Sequence, residues 1–239
     1  IAMCDEKRNY NLVFSASCEE EVSGKGGIEL ALNSFPRIDA GIIGEPTGLQ
    51  PAVAEKGLMV IDFKAKGKAG HAARNEGINA IYKAIKDIET IKNLSFHRKS
   101  EHLGETRATV TIINAGTLHN VIPDECSFTA DVRSNEMYSN RELFEIISSA
   151  VESEAKARSF RLNSSNISSN PPLVRRAVAL DRKPFGSPTL SNRALLSFPT
   201  IKIGPGESSR SHTADEFIKI SEIAEAVDFY VEFMKGLEL

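Results

Sequence analysis

The stretch LVFSASCEEEVSGKGGIELALNSFPRIDAGIIGEPT, Leu12 to Thr47, decides the fold class. Its apolar start predicts a strand over residues 10–14, its middle predicts a helix over 24–33, and Ala40 to Ile43 predict a second buried strand. Strand, helix and strand in this order are typical of a parallel α/β sheet. Functional sites in such sheets lie at the carboxyl ends of the strands.

Acidic residues follow both predicted strands. Glu19, Glu20 and Glu21 stand together after the first strand, and Glu45 follows the second, where Pro46 restricts its backbone to an extended or turn conformation. Adjacent carboxylates at the end of a buried strand repel one another, and a nearby cation removes that cost. A solvated acidic turn is the alternative interpretation. The apolar strand before the triplet and the Gly-rich sequence after it favour a metal site with a neighbouring general base.

The composition excludes several classes of protein. The chain has 239 residues, of which 41% are hydrophobic and 26% charged, as in a globular protein with one large or two modest domains. A net charge of -3 predicts no nucleic-acid partner, and the absence of a long apolar run predicts no membrane partner. The three cysteines, Cys4, Cys18 and Cys126, are odd in number and far apart, which predicts a reducing, cytoplasmic location.

The middle of the chain predicts a different kind of domain. Its elements are a strand at Leu58–Ala65, a helix with isoleucines from Ile78 to Ile91, strands at Thr106–Ile113 and Cys126–Val132, a helix after the capping box at Ser139, and a last strand at Phe160–Leu162. This order is that of the ferredoxin-like split βαβ unit. We therefore predict an inserted α+β domain over residues 57–167, between two parts of an α/β domain over 1–56 and 168–239.

One histidine joins the acidic residues as a candidate metal ligand. His212 lies in a Ser/Gly-rich loop after a predicted buried strand, whereas His97 and His102 lie in a charged loop that predicts solvated side chains. A lone loop histidine more often has no such role. Together with Glu21 and Glu45, however, His212 would complete a set of two oxygen ligands and one nitrogen ligand suited to zinc.

Three further candidates lie in the predicted inserted domain. His71 follows the small-residue turn GKAG, where glycine and alanine let another chain or a substrate come close. Asn120 lies in a turn between two strands and would ordinarily be only a turn residue. Arg133 ends an alternating strand, and its plain interpretation is a surface charge.

Six segments carry a specific resemblance. In chain order they are CEEEVSGKGG, IIGEPT, GKAGHAA, GTLHNVIPD, FTADVRS and SRSHTADEF. Together they resemble the dinuclear-zinc amidohydrolase and peptidase family, which includes acetylornithine deacetylase, succinyl-diaminopimelate desuccinylase, aminoacylase and carboxypeptidase G-type enzymes. The nearest likeness is to the acetylornithine deacetylase-like members. The resemblance implies a zinc-peptidase-like α/β catalytic domain, present in part, with an inserted ferredoxin-like domain that dimerises and acts as a lid.

The resemblance also implies roles for the acidic cluster. Glu20 is similar to the general base of the family, and Glu21, Glu45 and His212 are similar to its zinc ligands. The intact family site holds two zinc ions per subunit, with cobalt or manganese as substitutes. In the implied mechanism the zinc ions lower the pKa of a bridging water, and Glu20 takes its proton and later passes it to the leaving amine.

The lid residues have implied roles as well. His71 is similar to the histidine that reaches the site of the second subunit of a homodimer and holds the oxyanion, and Asn120 and Arg133 are similar to residues that hold the substrate carboxylate. The implied reaction is hydrolysis of the amide bond of an N-acyl amino acid, namely N-acetylornithine or a related N-acetyl or N-succinyl ornithine or citrulline, in arginine biosynthesis. The alternatives are a dipeptidase or carboxypeptidase, a succinyl-diaminopimelate desuccinylase, or a fragment that only dimerises.

The chain also departs from the family. The family's HxD motif and its metal-bridging Asp have no counterpart, since the first histidine of the chain is His71, in the predicted lid. We therefore expect the chain to lack the N-terminal third of the family and, without these ligands, to be catalytically incomplete.

Overall fold

A computed structural model describes residues 9–22, 24–74, 76–167 and 170–239, so that Cys4 lies outside the described part. The strands, in chain order, are β1 (Gly41–Ile43), β2 (Ala52–Glu55), β3 (Met59–Lys66), β4 (Gly70–His71), β5 (Arg107–Ala115), β6 (Val121–Ile122), β7 (Glu125–Arg133), β8 (Glu154–Ala157), β9 (Ser165–Asn166), β10 (Phe185–Ser187) and β11 (Thr200–Lys202). The α-helices are α1 (Ile28–Leu32), α2 (Ala80–Asn93), α3 (Asn140–Ala150), α4 (Pro172–Ala179) and α5 (Ile220–Lys235).

The chain divides into two compact units. One takes the described residues of Ile1–Glu55 and Ser165–Leu239, and is called unit 1 here. The other, unit 2, is the continuous segment Lys56–Ser164. None of the described helices is long and apolar enough to cross a membrane.

Unit 1 is built on a mixed sheet with strand order β1-β11-β2-β10, to which β9 adds beside β2. β1 runs parallel to β11 and β10 runs parallel to β2, whereas β11 and β2 are antiparallel. Helices α4 and α5 supply much of its apolar core, with Leu173, Phe229 and Phe233 buried beside Ile201 and Ile203. Burying each such side chain stabilises the fold by about 1.5–3 kcal/mol.

The predicted strand over residues 10–14 is wrong. Leu12 and Phe14 are exposed, Phe14 to 89%, and no described residue pairs with this segment. A strand needs a neighbour that takes its backbone hydrogen bonds, so an apolar pattern alone does not make one. Tyr10 anchors the start of the segment, because its hydroxyl donates to the carbonyl oxygen of Met234 at 2.5 Å.

Unit 2 has the predicted ferredoxin-like fold. The order β3-α2-β5-β7-α3-β8 along the chain gives an antiparallel sheet of order β5-β7-β3-β8. Its core contains the stacked rings of Phe63 and Phe128, with centroids 4.7 Å apart, packed with residues of α2 and α3. The Ser139 side chain caps α3 by accepting a hydrogen bond from the backbone N–H of Glu142.

The last strand of unit 2 is not where the sequence predicts it. β8 covers Glu154–Ala157 and pairs with β3, whereas the predicted strand Phe160–Leu162 has no ladder. The ring of Phe160 instead packs edge-on against Phe144, with centroids 5.5 Å apart. The apolar character of this segment therefore serves packing rather than strand pairing.

Candidate active site

Two parallel strands bring the candidate ligands of unit 1 to one edge of its sheet. Ile43 of β1 is paired with Lys202 of β11, so the chain leaves both strands at the same edge. Glu45 follows β1 and Gly204 follows β11. The exits are so close that a Cβ on Gly204 would lie 2.5 Å from the carbonyl oxygen of Glu45, which only glycine avoids. The Thr47 hydroxyl accepts a hydrogen bond from the Gly204 N–H at 3.1 Å.

The glutamate triplet forms a tight turn in which Glu19 has a structural part. Its backbone has the left-handed φ of 59°, and its carboxylate accepts a hydrogen bond from the N–H of Gly26 at 2.8 Å. Its carbonyl oxygen accepts another from the N–H of Gly24. A Cβ on either glycine would collide with the Glu19 side chain, so the Gly-rich sequence lets the turn close on this carboxylate. Backbone strain of this kind is common at functional sites.

The other carboxylates are electrostatically crowded. Burial raises the pKa of Glu20 above its ordinary value, and the charge of Glu21 raises it further, while His212 and Lys202 act in the opposite direction. Burial also raises the pKa of Glu45, and the charge of Glu20 adds to this shift. The structure therefore places Glu20 and Glu45 close enough to repel each other, and a proton or a cation would relieve that repulsion.

A buried ion pair lies close enough to this cluster to shift its pKa values. Lys202 and Glu55 are 3% and 1% exposed, and Nζ of Lys202 lies 3.3 Å from Oε1 of Glu55. The ammonium also donates to the hydroxyl of Ser187 and to Thr189, and the Glu55 carboxylate accepts from the N–H and hydroxyl of Ser191. Such full hydrogen bonding is what allows two charges to be buried.

The loop that carries His212 is held by its own neighbours. The backbone of His212 has φ 59°, and its N–H donates to Oε2 of Glu216 at 3.0 Å. Nε2 of His212 lies 3.8 Å from Oε2 of Glu21, and both side chains are 76% exposed. Of the predicted ligands, Glu21 and His212 are thus brought together.

An ion pair fastens the same loop to α5. Nη1 of Arg210 donates to both carboxylate oxygens of Glu222, at 3.0 and 2.7 Å, and the backbone N–H of Lys219 donates to Glu222 as well. These hydrogen bonds lower the pKa of Glu222 to about 2. The helix start and the His212 loop are therefore one connected structure.

The predicted ligands Glu21, Glu45 and His212 are of residue types that bind zinc, but the structure does not bring all three together. Carboxylate oxygen and imidazole nitrogen are normal zinc ligands, and structural or catalytic sites need three or four of them. Within the described residues, however, no group of three His, Cys, Asp or Glu side chains is arranged to hold a metal ion. The predicted set of Glu21, Glu45 and His212 therefore does not close a metal site by itself.

In unit 2 a small ladder places His71 beside the turn that carries Asn120. His71 of β4 is paired with Val121 of β6, and the N–H of Ala72 donates to the carbonyl oxygen of Asn120 at 3.0 Å. Nδ1 of His71 accepts a hydrogen bond from the N–H of Ala73 at 3.2 Å. A neutral ring with Nδ1 as acceptor carries its proton on Nε2, so the exposed edge of His71 is a hydrogen-bond donor.

Arg133 is held by an aspartate two residues before it on β7. Nε and Nη2 of Arg133 donate to the two carboxylate oxygens of Asp131, at 2.7 and 3.1 Å. This pairing occupies one edge of the guanidinium and leaves the edge formed by Nη1 and Nη2. The structure thus adds Asp131 as a residue that orients Arg133.

Sequence reasoning missed Glu55, Lys202 and Asp131. A signal existed for Lys202, because a lone lysine inside the apolar run Thr200 to Ile203 has to find a buried partner. Glu55 likewise ends the run Ala52–Glu55, of which every residue is buried. Which carboxylate meets which lysine depends on the pairing of distant strands, which local sequence does not contain.

Comparison with known proteins shows which proteins the chain resembles. Residues 53–159 match the peptidase dimerisation domain of the M20 group. The chain is 28% identical over 224 residues to acetylornithine deacetylase of Pectobacterium carotovorum, covering 85% of this chain and 58% of the relative. It is 26% identical over 245 residues to the [LysW]-lysine/[LysW]-ornithine hydrolase of Sulfurisphaera tokodaii, covering 97% of this chain and 68% of the relative. The chain spans about three-fifths of the length of the first of these relatives.

Solved structures share the fold. A tripeptidase from Staphylococcus aureus superposes with a TM-score of 0.72 at 21% identity, over 92% of this chain and 62% of that one. An M20 family metallo-carboxypeptidase from Sulfolobus solfataricus gives a TM-score of 0.67 at 17% identity, over 91% of this chain and 68% of that one. The matched dimerisation domain over residues 53–159, the curated relatives and this shared fold make the chain similar to proteins of the M20 metallopeptidase family.

Proposed function

We propose that this chain is part of a metal-dependent amidohydrolase that cleaves the amide bond of an N-acyl amino acid. The observation that carries the proposal is the crowding of Glu20 and Glu45 at the carboxyl-end edge of the unit 1 sheet, where burial and mutual repulsion raise both pKa values. The names of the relatives, acetylornithine deacetylase and [LysW]-lysine/[LysW]-ornithine hydrolase, support N-acetylornithine or a related N-acyl ornithine as substrate. An N-acyl citrulline as a related substrate, and arginine biosynthesis as the pathway, are further parts of the proposal.

Glu20 is the proposed general base. A carboxylate with a raised pKa holds a proton more tightly, so it accepts one from water more readily near neutral pH. Glu21, Glu45 and His212 are the proposed metal ligands, with zinc as the metal and cobalt or manganese as substitutes. The free thiols of Cys18 and Cys126 agree with the reducing, cytoplasmic location that we propose for the enzyme.

Residues of unit 2 are proposed to bind the substrate. The contact between His71 and Ala73 uses only Nδ1 of the ring, so the Nε2–H can donate a hydrogen bond to an oxyanion that develops on the substrate. The Nη1 and Nη2 edge of Arg133, which Asp131 leaves open, suits the α-carboxylate of the substrate. Asn120, in the neighbouring turn, is the proposed second contact of that carboxylate.

The proposed functional domains have the bounds predicted from the sequence. Residues 1–56 and 168–239 are the two parts of the catalytic domain, and residues 57–167 are the inserted dimerisation and lid domain.

The substitution Glu20→Gln tests the general base. We expect hydrolysis of N-acetylornithine, with the wild type as reference, to fall by about 10²–10⁴-fold, since that is the usual contribution of a positioned base. Zinc content by elemental analysis should stay at the wild-type value. Glu19→Gln is the matched control, because glutamine keeps an oxygen for the Gly26 N–H. Full activity in Glu20→Gln would remove Glu20 from this role.

A panel of substrates separates the candidates within the family. N-acetylornithine, N-acetylcitrulline, N-succinyl-diaminopimelate, a dipeptide and a tripeptide are compared at one metal concentration. Cleavage confined to the N-acyl amino acids supports the proposal. Cleavage confined to the peptides would favour a dipeptidase or carboxypeptidase.

A non-catalytic alternative is favoured by the missing third metal donor among the described residues. In that case the chain would fold and dimerise without hydrolysing anything. Metal stoichiometry distinguishes the two functions. About two metal ions per chain, as dinuclear sites hold, support the enzyme. No bound metal together with intact dimers would support the alternative.

A homodimer through unit 2 is the proposed assembly. β5 is an edge strand of the sheet, and Ile112 and Ile113 on it are half exposed, as is Ile85 on α2, which packs beside β5. An exposed apolar edge strand invites pairing with another chain, and a second copy would cover it. The match to a peptidase dimerisation domain supports this surface.

The opposite edge of the same sheet has the character of a protected edge. β8 carries Glu154, which forms an ion pair with Lys66 at 2.6 Å, and charged side chains of this kind discourage pairing with another chain.

A substitution on β5 tests the proposed interface. Ile113→Lys should convert the dimer to a monomer in analytical ultracentrifugation, because it places a charge on the apolar edge strand. Ile223→Lys, at an exposed position of unit 1, is the control that should leave the dimer intact. A dimer retained by Ile113→Lys would exclude the β5 edge as the interface.

A further inference from the structure

Arg133 has a second arginine directly beside it in unit 2. Arg107 of β5 is the register partner of Arg133 in β7, so both side chains project from the same face of the sheet. Directly opposite residues in an antiparallel pair have Cβ atoms about 4.5–5.5 Å apart, and like charges in that position destabilise the sheet. The neighbouring pair, Ala108 and Val132, belongs to the apolar core, so the arginines lie on the face away from it.

A lysine completes the group. Burial lowers the pKa of Lys56, and the charges of Arg107 and Arg133 lower it further. Its ammonium donates to the carbonyl oxygen of Glu105 at 2.7 Å, while the carboxylate of Glu105 is paired with Lys99 at 2.6 Å. Positive charges held together at a cost to stability are typical of a binding surface.

The carboxylates nearby do not balance these charges. Asp131 is paired with Arg133, and Glu105 is paired with Lys99. The charge of Glu105 also acts on Lys56 and Arg107. These two carboxylates face four cations, so part of the positive charge stays unbalanced. Within the described residues, Lys56 and Arg107 form no ion pair of their own. A ligand with one carboxylate would neutralise only part of the remaining charge.

We propose that Lys56, Arg107 and Arg133 form an anion-binding surface for a substrate with two carboxylates, the α-carboxylate of an N-acyl amino acid and a second one. This inference rests on the proposed function for the identity of the ligand as an N-acyl amino acid. Arg133 takes the α-carboxylate through its open edge, and Arg107 with Lys56 takes the second carboxylate. The second carboxylate belongs either to the acyl chain or to the amino-acid side chain. A cationic side chain directed at this surface is repelled, so among the proposed ornithine derivatives the surface suits N-succinylornithine, whose second carboxylate lies on the acyl chain, rather than N-acetylornithine.

Binding to the whole chain, measured by isothermal titration calorimetry without added metal, tests the proposal. The ligands are N-acetylglutamate, N-succinylalanine, N-acetylnorvaline as the singly charged control, and N-acetylornithine. We expect at least one dicarboxylate to bind about tenfold or more tightly than N-acetylnorvaline, which corresponds to about 1.4 kcal/mol. Preference for N-acetylglutamate assigns the second carboxylate to the side chain, and preference for N-succinylalanine assigns it to the acyl chain.

Two variants locate the effect. Arg107→Gln should abolish the preference for the dicarboxylate while binding of N-acetylnorvaline stays the same, and Lys56→Met should weaken the preference in the same direction. Arg158→Gln is the matched control, because Arg158 follows β8, at the other edge of the sheet, and is paired with Asp62. Equal affinity for all four ligands, or a preference that survives Arg107→Gln, would overturn the proposal.

This experiment is independent of catalysis. If the chain prefers dicarboxylates but never hydrolyses an amide, the result supports the proposed binding surface and contradicts the proposed function. If the chain hydrolyses N-acyl amino acids without any such preference, the result supports the proposed function and contradicts the proposed binding surface.

Discussion

Replacing Lys202 by methionine tests how the buried ion pair of unit 1 is held. The change keeps much of the side-chain volume and removes the charge, so that Glu55, 1% exposed, loses the attraction of the Lys202 ammonium, while the charge of Arg193 still acts on it. At 3.3 Å between Nζ and Oε1, and with an effective dielectric constant of about 20, the lost attraction is about 5 kcal/mol. The cost of stranding one partner of such a pair is typically about 3–5 kcal/mol, because the other charge stays buried.

The measurement is urea unfolding followed by circular dichroism, together with thermal unfolding. A loss of about 3–5 kcal/mol should lower the melting temperature by about 6–20 °C in a chain of this length. Hydrogen exchange should locate the loss in unit 1 and leave unit 2 unchanged. The surface pair Lys66 and Glu154, with side chains 62% and 65% exposed, provides the control Lys66→Met, for which we expect at most about 1 kcal/mol.

A double variant makes the reasoning refutable. In Glu55→Gln with Lys202→Met both charges are removed, and the oxygen of the new amide side chain can still accept the hydrogen bonds from Ser191. We expect the double variant to regain most of the stability lost by Lys202→Met, since replacing both partners of a buried pair is far less costly than removing one. A single variant that loses less than about 1 kcal/mol, or a double variant as unstable as the single, would refute the argument.

Three further predictions concern other contacts. Asn140→Ala should destabilise unit 2 by about 1–3 kcal/mol in urea unfolding, because Nδ2 of this buried residue donates to the carbonyl oxygens of Leu58 and Leu162; an unchanged midpoint would contradict this. The pKa of Glu45 is raised, so the folded chain binds the proton of this carboxyl group more tightly than the unfolded chain does. The free energy of unfolding should therefore fall as pH rises from about 4.5 through the raised pKa. Glu45→Gln should make the free energy of unfolding depend less on pH in this range. The pKa of Glu222 is lowered to about 2, so its contribution should be present above about pH 4.5 and be lost as pH falls towards 2; Arg210→Ala should remove most of that pH dependence.

Helical and strand periodicity predicted unit 2 well. The alternating residues of β3 and β7 and the cap at Ser139 are local signals, and the structure shows the expected strand order of a ferredoxin-like sheet. The apolar runs at residues 10–14 and Phe160–Leu162 were misleading, because an apolar segment becomes a strand only when a neighbour accepts its backbone hydrogen bonds. One segment has no such neighbour among the described residues, and Phe160 found a packing partner in Phe144 instead.

By itself, the sequence determined the fold class, the ferredoxin-like insertion and the position of Glu45 after a strand, because periodicity, caps and motifs are local properties of the chain. It did not determine the setting of Glu19, Glu20 and Glu21, since the described residues before them do not form the predicted strand. Only the tertiary structure decided that Lys202 is buried against Glu55, that Glu20 and Glu45 repel each other, and that Arg107 stands beside Arg133. Each of these contacts joins residues that are far apart in the chain, and electrostatic energy depends on the distance between charges in space.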